Sequence, residues 1–322
     1  MHLGIDIGGT KTEICLLGSS VIASQVFRER MPTLRDGTLD DFFVRLRALL
    51  KNSLTAQSIS FKEIKTIGVG LPGSVDPIAQ IMLQGNVSFF KNIDVKTVFA
   101  KEISPEGKPF TGNIVFDNDA NCFALAETYF GSGKKWSEQN GVAAQQLCVI
   151  GVILGTGVGG GLIVNGKLIR GRRGGAGEIG HMTLVDNGRP CYCGKRGCSE
   201  QYLSGRAFEH FYNSHEEITH PTSAEEIFTL AEKNDRFANA AVESYRDHLV
   251  EFLSNLSNLL DPHMIVLGGG MSKQKRIYEG MSDRLSKACF LTKDPPAVVQ
   301  NVLGGSAGVL GAALLPEGIF KT

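Results

Sequence analysis

One histidine and three cysteines are spaced so that they could bind a single metal ion. Cys191, Cys193 and Cys198 fall within eight positions, and the first of them follows His181 by ten residues. Glycines between the last two cysteines let the loop curl so that several thiolates point at one centre. One imidazole and three thiolates form a closed tetrahedral set that suits structural zinc. The alternative is a cluster of free or disulfide-paired cysteines.

Two carboxylates bracket this stretch. Glu178 and Glu200 lie near the two ends of residues 177–200. A metal that pins the loop would hold the polar side chains beside it in place. The chain has seven cysteines, an odd number, and its N-terminus lacks the basic and long apolar regions of a secretory signal. These features favour a reducing, cytoplasmic setting, in which disulfide pairing is unusual.

A short glycine-rich turn follows the first predicted strand. Residues 2–7 predict a strand that runs into Gly8, Gly9, Thr10 and Lys11, and a returning strand follows over residues 12–17. The backbone N–H groups and the Thr10 hydroxyl can face a phosphate, while Asp6 can hold a cation through water. Taken alone, an ordinary hairpin turn is the better interpretation of this pattern.

A second turn repeats the first in the other half of the chain. The apolar strand predicted over residues 147–154 ends in Gly155, Thr156 and Gly157. Two such turns, one in each half, could clamp a polyphosphate from both sides. A third glycine-rich end, formed by Gly268, Gly269 and Gly270, follows another predicted strand. A nucleoside could lie against its backbone, or the glycines could simply close a βα unit.

A polar cluster marks a predicted junction between a strand and a helix. Asp117, Asn118 and Asp119 follow the strand predicted at residues 114–116, and good helix formers come next. One carboxylate here could take a proton from a substrate hydroxyl, and the neighbouring amide could orient a sugar. Alternatively the group caps the helix, although a cap needs only one of the three residues. Asn86, in an earlier polar loop, is either a further group that binds hydroxyls or a plain turn residue.

The strand followed by a glycine turn occurs once in each half of the chain. The 322 residues are 42% hydrophobic and carry a formal net charge of zero. That length suggests two domains, and the neutral charge gives no reason to expect nucleic acid or an anionic membrane as partner. No apolar run is long enough to span a membrane. The glycine turns near residues 8 and 155 predict two similar α/β domains that face each other across a cleft.

Together, in this order, the motifs resemble those of the ROK family of sugar kinases. The resemblance covers essentially the whole chain and is carried by residues 6–11, 118–121, 154–160, 178–181 and 191–200. It implies an α/β protein with the actin-like ATPase (ribonuclease H-like) fold. The first domain would span residues 1–118 and be completed by the C-terminal helix 306–322. The second would span residues 119–305.

The resemblance also implies a role for each motif. Asp119 would be the general base that acts on the 6-hydroxyl of a hexose. Sugar hydroxyls would be contacted by Asn86, Asn118, Glu178, His181 and Glu200. ATP and Mg²⁺ would be held by Asp6, Gly8, Gly9, Thr10, Lys11, Gly155, Thr156 and Gly157, with Gly268, Gly269 and Gly270 on the nucleoside side. Structural Zn²⁺ would be bound by His181, Cys191, Cys193 and Cys198. His181 would then use one ring nitrogen for zinc and the other for sugar.

The motifs leave the particular sugar open. Residues 117–125, 154–166 and 202–206 look most like those of bacterial N-acetylglucosamine kinases, so phosphorylation of N-acetyl-D-glucosamine is the prediction. Residues 175–182 also resemble ROK glucokinases, and residues 191–195 resemble a ROK fructokinase, so these two activities are the alternatives. A homodimer is expected.

A sugar-responsive repressor is the alternative from a different functional class. Repressors of the family carry a helix-turn-helix domain before the first glycine turn. Here that turn begins at residue 8, and the neutral charge offers no DNA-binding footprint. A sugar sensor without catalysis or DNA contact is a further alternative, and the intact Asp119 argues against it.

Overall fold

The computed structural model describes residues 1–18, 25–34, 37–76, 82–85, 87–90, 93–291 and 293–316. The chain divides into two compact units. The first comprises Met1–Phe130, Arg170–Ala176 and Leu303–Thr322, and the second comprises Gly131–Ile169 and Gly177–Val302. Each unit has its own sheet and its own apolar core.

The strands and helices of the described chain have the following bounds. The strands are β1 (His2–Ile7), β2 (Lys11–Leu17), β3 (Gln25–Pro32), β4 (Thr66–Leu71), β5 (Gly73–Val75), β6 (Met82–Gly85), β7 (Asn113–Asn118), β8 (Val149–Leu154), β9 (Val158–Val164), β10 (Lys167–Leu168), β11 (Met264–Gly268) and β12 (Ala297–Gln300). The α-helices are α1 (Leu39–Ala56), α2 (Val95–Glu102), α3 (Asp119–Tyr129), α4 (Ser132–Asn140), α5 (Glu200–Leu203), α6 (Gly205–Asn213), α7 (Ala224–Glu232), α8 (Arg236–Leu260), α9 (Met281–Ala288) and α10 (Ala307–Leu314).

The main sheets of the two units share one topology. Among the described residues, the first sheet has the order β3-β2-β1-β4-β7 and the second has the order β10-β9-β8-β11-β12. In each, three antiparallel strands form a meander, and two further strands then add in parallel beside the first strand of that meander. This confirms the duplicated α/β architecture predicted from the repeated glycine turns.

Helix α10 is buried against the first sheet and against α3 because glycines allow a close approach. A Cβ atom at Gly68 would collide with the backbone of Ala312, and a Cβ atom at Gly311 would collide with the backbone of Cys122 in α3. These contacts fix α3 to the first unit. The structure therefore divides the chain after Phe130, whereas the sequence-based boundary lay after residue 118.

Two segments differ from the structure that their sequences predict. The polar composition of residues 131–145 predicts an exposed loop, but α4 forms there and Trp136 packs edge-on against His263 with 5.2 Å between ring centroids. The sequence of residues 272–288 predicts one helix, but the segment is α-helical only in α9, and 3₁₀ turns precede it. None of the helices in the described part of the chain combines the length and the apolar character needed to cross a bilayer.

Candidate active site and metal centre

The turn between β1 and β2 is held from one side and open on the other. The Gly8 N–H donates to the Lys11 carbonyl at 2.9 Å. Thr33 braces the turn, because its N–H donates to the Thr10 carbonyl at 3.0 Å and its hydroxyl donates to the Gly8 carbonyl at 2.7 Å. A Cβ atom at Gly9 would meet nothing within 4 Å, and Thr10 is exposed. The open side of this fixed turn is therefore available to a ligand.

Asp6, the penultimate residue of β1, lies close to other carboxylates. Glycine is required beside it, since a Cβ atom at Gly308 would collide with its carboxylate. Burial is the main reason that the pKa of Asp6 rises to about 7, and the nearby charges of Asp119 and Glu13 add to this. Lys11 partly opposes the rise and bonds Glu13, with Nζ and Oε1 2.7 Å apart. A cation bound here would favour the ionised form of Asp6.

At the start of α3, Asn118, Asp117 and Asp119 differ in their contacts and exposure. Asn118 is the N-cap, and its Oδ1 accepts from the Asn121 N–H at 2.7 Å. Asp117 is buried, with Oδ1 accepting from Asn121 Nδ2 at 2.6 Å and Oδ2 accepting from Arg170 Nε at 2.7 Å. Asp119 is exposed at the first helical position, where the helix dipole favours a carboxylate. No local pattern in the sequence points to Arg170, which lies 53 positions from its partner Asp117.

The second glycine turn, between β8 and β9, matches the first. The Gly155 N–H donates to the Gly157 carbonyl at 3.0 Å, and Thr156 between them is exposed. Gly269 has φ of +84°, and a Cβ atom there would collide with the Leu154 carbonyl. Residues 268–270 therefore lie against this turn, so the structure brings together two of the three predicted glycine-rich segments in the second unit.

Residues 177–180 pack on β9, the strand that leaves this turn. A Cβ atom at Gly180 would collide with the Val158 carbonyl, and one at Gly177 would lie 2.5 Å from the Gly160 carbonyl oxygen. The backbones of residues 177–180 and of β9 are thus in direct contact. Glu178 lies in this contact segment and its side chain is exposed.

His181, Cys191, Cys193 and Cys198 converge as predicted. Their four candidate ligand atoms all lie within 4.8 Å of one another. The Cys193 and Cys198 sulfurs are 3.6 Å apart, and the Cys191 sulfur is 3.7 Å from His181 Nδ1. Ligands at tetrahedral zinc would be separated by about 3.8 Å for two thiolates and about 3.5 Å for a thiolate and an imidazole. A sulfur–sulfur distance of 3.6 Å is well beyond a disulfide bond of about 2.05 Å. The donor set fits zinc.

The crowding of thiols also favours a cation. Burial raises the pKa of Cys198 to about 12, and the neighbouring thiols of Cys193 and Cys191 add to the rise. The pKa of Cys193 is lowered, chiefly because the Lys195 N–H donates to its sulfur. A metal ion would supply the positive charge needed to ionise all three thiols together. Gly194 and Gly197, with φ of +86° and +73°, allow the loop to curl as the sequence indicated.

The second nitrogen of His181 faces a residue that the sequence analysis did not single out. Tyr192 is 78% exposed, and its hydroxyl lies 3.1 Å from His181 Nε2. The two rings meet edge to face, with centroids 5.3 Å apart. Nδ1 is thus the nitrogen that faces the cysteines, and a metal bound there would have Tyr192 as an outer-shell partner that orients the His181 ring. A sugar contact from Nε2 requires the Tyr192 hydroxyl to give way.

Glu200 begins α5, two residues after the last cysteine, and lies against the glycine turn. Its Oε2 accepts from the Val158 N–H at 2.9 Å. Asn86 lies outside the described residues. The remaining predicted residues are thus placed in two groups. In the first unit they are Asp6, the first turn, Asn118 and Asp119, and in the second unit they are the second turn, residues 268–270, Glu178, Glu200 and the metal set.

The repeated sheet topology and the glycine turns define a protein of the actin-like ATPase fold. More specifically, the chain belongs to the ROK family, since the family model of that name matches residues 2–318. This confirms the predicted family.

Relatives of known name match the chain over nearly its full length. The N-acetyl-D-glucosamine kinases of Erwinia tasmaniensis and Vibrio cholerae are 36% and 34% identical, and each match covers 98% of this chain and 99% of the relative. Among solved structures, a ROK hexokinase from Thermus thermophilus has a TM-score of 0.81 at 27% identity, covering 98% of this chain and 97% of the other. A ROK glucokinase from Streptomyces griseus in complex with glucose and AMPPNP has a TM-score of 0.68 at 27% identity, covering 98% of each chain.

Proposed function

We propose that this protein transfers the γ-phosphoryl group of ATP to the 6-hydroxyl of a hexose, and that its preferred hexose is N-acetyl-D-glucosamine. The arrangement around Asp119 carries the proposal. Asp119 is the first residue of α3, directly after the N-cap Asn118, and its side chain is exposed, so its carboxylate is accessible to a substrate.

In the proposed reaction, Asp119 accepts the proton of the 6-hydroxyl while the hydroxyl oxygen attacks the γ-phosphorus. A new oxygen–phosphorus bond forms, the bond between that phosphorus and the bridging oxygen breaks, and ADP leaves. Phosphoryl transfer depends on positioning and charge neutralisation more than on covalent participation by the protein. Asp119 is fixed at the first position of a helix whose start is held by buried hydrogen bonds, and this provides the positioning.

The two glycine turns are assigned to the nucleotide. Each presents backbone N–H groups and an exposed threonine hydroxyl, Thr10 in one and Thr156 in the other, as hydrogen-bond donors for phosphate oxygens. Lys11 and residues 268–270 are assigned to the same ligand. Magnesium, when bound through water to Asp6, would neutralise charge on the phosphates. The raised pKa of Asp6 suits this role, because a cation would restore the ionised carboxylate.

The sugar is assigned to Asn118, Glu178, His181 and Glu200, with Asn86 as a further candidate. Exposed carboxylates such as Glu178 accept hydrogen bonds from sugar hydroxyls, and the Nδ2 group of Asn118 can donate while its oxygen caps α3. The choice of N-acetyl-D-glucosamine is supported by the names of the relatives that are 33–36% identical over the whole chain. Glucose is the second candidate, supported by the glucokinase of similar structure.

Zinc is assigned a structural role. Three thiolates and one imidazole close the tetrahedron and leave no open coordination position for a substrate. The four ligands would hold the loop that carries Glu178 and Glu200, so the metal would act through the shape of the sugar-binding edge.

Asp119→Asn tests the proposal directly. We expect turnover to fall by more than about 100-fold, the scale of a lost general base, while the affinity for the sugar stays within about threefold of the original protein. The matched control is Asp40→Asn, which neutralises another exposed carboxylate in the first turn of a helix, α1. Turnover is measured by coupled detection of ADP and sugar affinity by calorimetry. Near-normal turnover in Asp119→Asn, with the control also unchanged, would remove Asp119 from the mechanism.

A further inference from the structure

Glu200 is in intimate contact with the second glycine turn. Its Oε2 accepts from the Val158 N–H at 2.9 Å, and Val158 is buried. A Cβ atom at Gly157 would lie only 2.5 Å from the same oxygen, so any side chain at position 157 would displace the carboxylate. The φ of Gly157 is not positive. The space taken by Glu200, and not the backbone conformation, therefore calls for glycine at this position.

The segment that starts with Glu200 holds the turn at a second point. Directly after the short helix α5, the Gly205 N–H donates to the Gly155 carbonyl at 2.8 Å. Helix α5 itself is anchored, since the buried Tyr245 hydroxyl donates to the Leu203 carbonyl at 3.0 Å. Residues 200–205 thus form hydrogen bonds to both ends of the turn, at Gly155 and at Val158.

The metal-binding loop determines where Glu200 lies. Ser199, between Cys198 and Glu200, bonds twice to the Met182 carbonyl, from its N–H at 2.9 Å and from its hydroxyl at 3.0 Å. Met182 directly follows the ligand His181. The contact between Ser199 and Met182 is therefore flanked by two residues of the metal set, Cys198 before Ser199 and His181 before Met182. The position of Glu200 thus depends on how this loop folds.

We propose that Glu200 is a positioning residue for the Gly155–Val158 turn, so that the loop assigned to the sugar also sets the geometry of the turn assigned to ATP phosphates. The assignment of the turn to ATP rests on the proposed function, but the contact between Glu200 and the turn does not. If Oε2 is removed, the Val158 N–H loses its acceptor, and a buried amide without a partner drives the local backbone to rearrange. Thr156, at the tip of the turn, would then no longer be presented in one place.

The amide and alanine substitutions at Glu200 separate this role from a sugar contact. In Glu200→Gln the side-chain oxygen can still accept from Val158, although the charge is lost. In Glu200→Ala both the acceptor and the charge are lost. If Glu200 only contacts sugar, neither substitution changes the affinity for nucleotide. If it positions the turn, the alanine variant alone weakens nucleotide binding.

The experiment uses the full-length, zinc-loaded protein and a non-hydrolysable ATP analogue with Mg²⁺, titrated without sugar. We expect Glu200→Ala to weaken binding of the analogue by about tenfold, as expected for the loss of one buried hydrogen bond, and Glu200→Gln to stay within about threefold. Amide hydrogen exchange at Val158, measured without nucleotide, should become faster in the alanine variant and stay slow in the glutamine variant. Zinc content and thermal melting confirm that each variant is folded.

Unchanged analogue affinity together with unchanged exchange at Val158 in Glu200→Ala would overturn the proposal. If the original protein fails to bind the analogue, the assignment of the turn to ATP is wrong, while the exchange at Val158 still decides the positioning role. If Glu200→Ala does not fold, Gly157→Ala replaces it, because the added methyl group displaces the carboxylate and leaves residue 200 intact. Faster exchange at Val158 in Gly157→Ala supports the proposal, and unchanged exchange rejects it.

Discussion

Replacing Asp6 by asparagine should stabilise the protein at alkaline pH when magnesium is absent. Burial and the nearby carboxylates of Asp119 and Glu13 raise the pKa of Asp6 to about 7 in the folded protein. An aspartate in an unfolded chain has a pKa near 3.8. Between these two values the folded state binds a proton that the unfolded state has released. Stability from this residue is therefore full below about pH 4 and is lost as pH rises through about 7.

The magnitude follows from the distance between the two pKa values. A change from 3.8 to about 7 corresponds to at most about 4 kcal/mol. Water reaches part of the side chain and reduces this to about 2 kcal/mol. Asp6→Asn keeps the size of the side chain and removes the charge, so it should raise the free energy of unfolding by about that amount at pH 8 and by far less at pH 4.5.

The assay is urea unfolding of the original protein and Asp6→Asn in magnesium-free buffer at the two pH values. Asp40→Asn, at an exposed carboxylate of the same unit, serves as the control and should change the free energy of unfolding by less than about 1 kcal/mol, equally at both pH values. Adding magnesium at pH 8 should stabilise the original protein more than Asp6→Asn. An effect of Asp6→Asn that is the same at both pH values, or a gain in stability only at pH 4.5, would show that the fold does not raise the pKa of Asp6.

Three further substitutions test other parts of the site. Cys193→Ser should lose stoichiometric zinc, measured by atomic emission, and should bind sugar more weakly. Cys289→Ser, outside the metal set, should keep both its zinc and its sugar affinity. Full zinc content and unchanged affinity in Cys193→Ser would contradict the metal assignment. Tyr192→Phe removes the hydroxyl that faces His181 Nε2. We therefore expect the KM for sugar to change by about two- to tenfold, with zinc retained. An identical KM would show that this hydroxyl does not affect sugar binding. Arg170→Ala leaves the buried Asp117 without its cation and should lower the free energy of unfolding by about 3 kcal/mol. Arg173→Ala, at an exposed arginine, should not lower it. Equal stability of the two variants would show that the ion pair contributes nothing.

Local signals in the sequence predicted well those features that depend on neighbouring residues. The spacing of Thr38 and Asp41 predicts a helix cap, and Thr38 caps α1 and accepts from the Asp41 N–H. The pair Asn165-Gly166 predicts a type I′ hairpin turn, and both residues have the positive φ that this turn requires. The convergence of His181, Cys191, Cys193 and Cys198 could also be predicted, because these residues lie within one short stretch.

Features that depend on residues far apart in the sequence could not be predicted in this way. Helix α4 has almost no apolar periodicity, and its Trp136 finds a partner 127 positions away in His263. The bond from the Val158 N–H to Glu200 joins residues 42 positions apart. The spacing of residues in the sequence indicates that Glu200 lies near the cysteines. It does not indicate that the Glu200 carboxylate accepts a hydrogen bond from an amide of β9.

Phosphorylation of N-acetyl-D-glucosamine by ATP is tested most directly by comparing sugars. We would measure kcat/KM with ATP for N-acetylglucosamine, glucose, fructose, mannose and N-acetylmannosamine, side by side with the zinc-loaded protein. We expect 6-phosphorylated N-acetylglucosamine to form with the highest kcat/KM of the set. A higher value for glucose or fructose would contradict the choice of substrate, and no ATP-dependent phosphorylation of any of the five sugars would contradict the account as a whole.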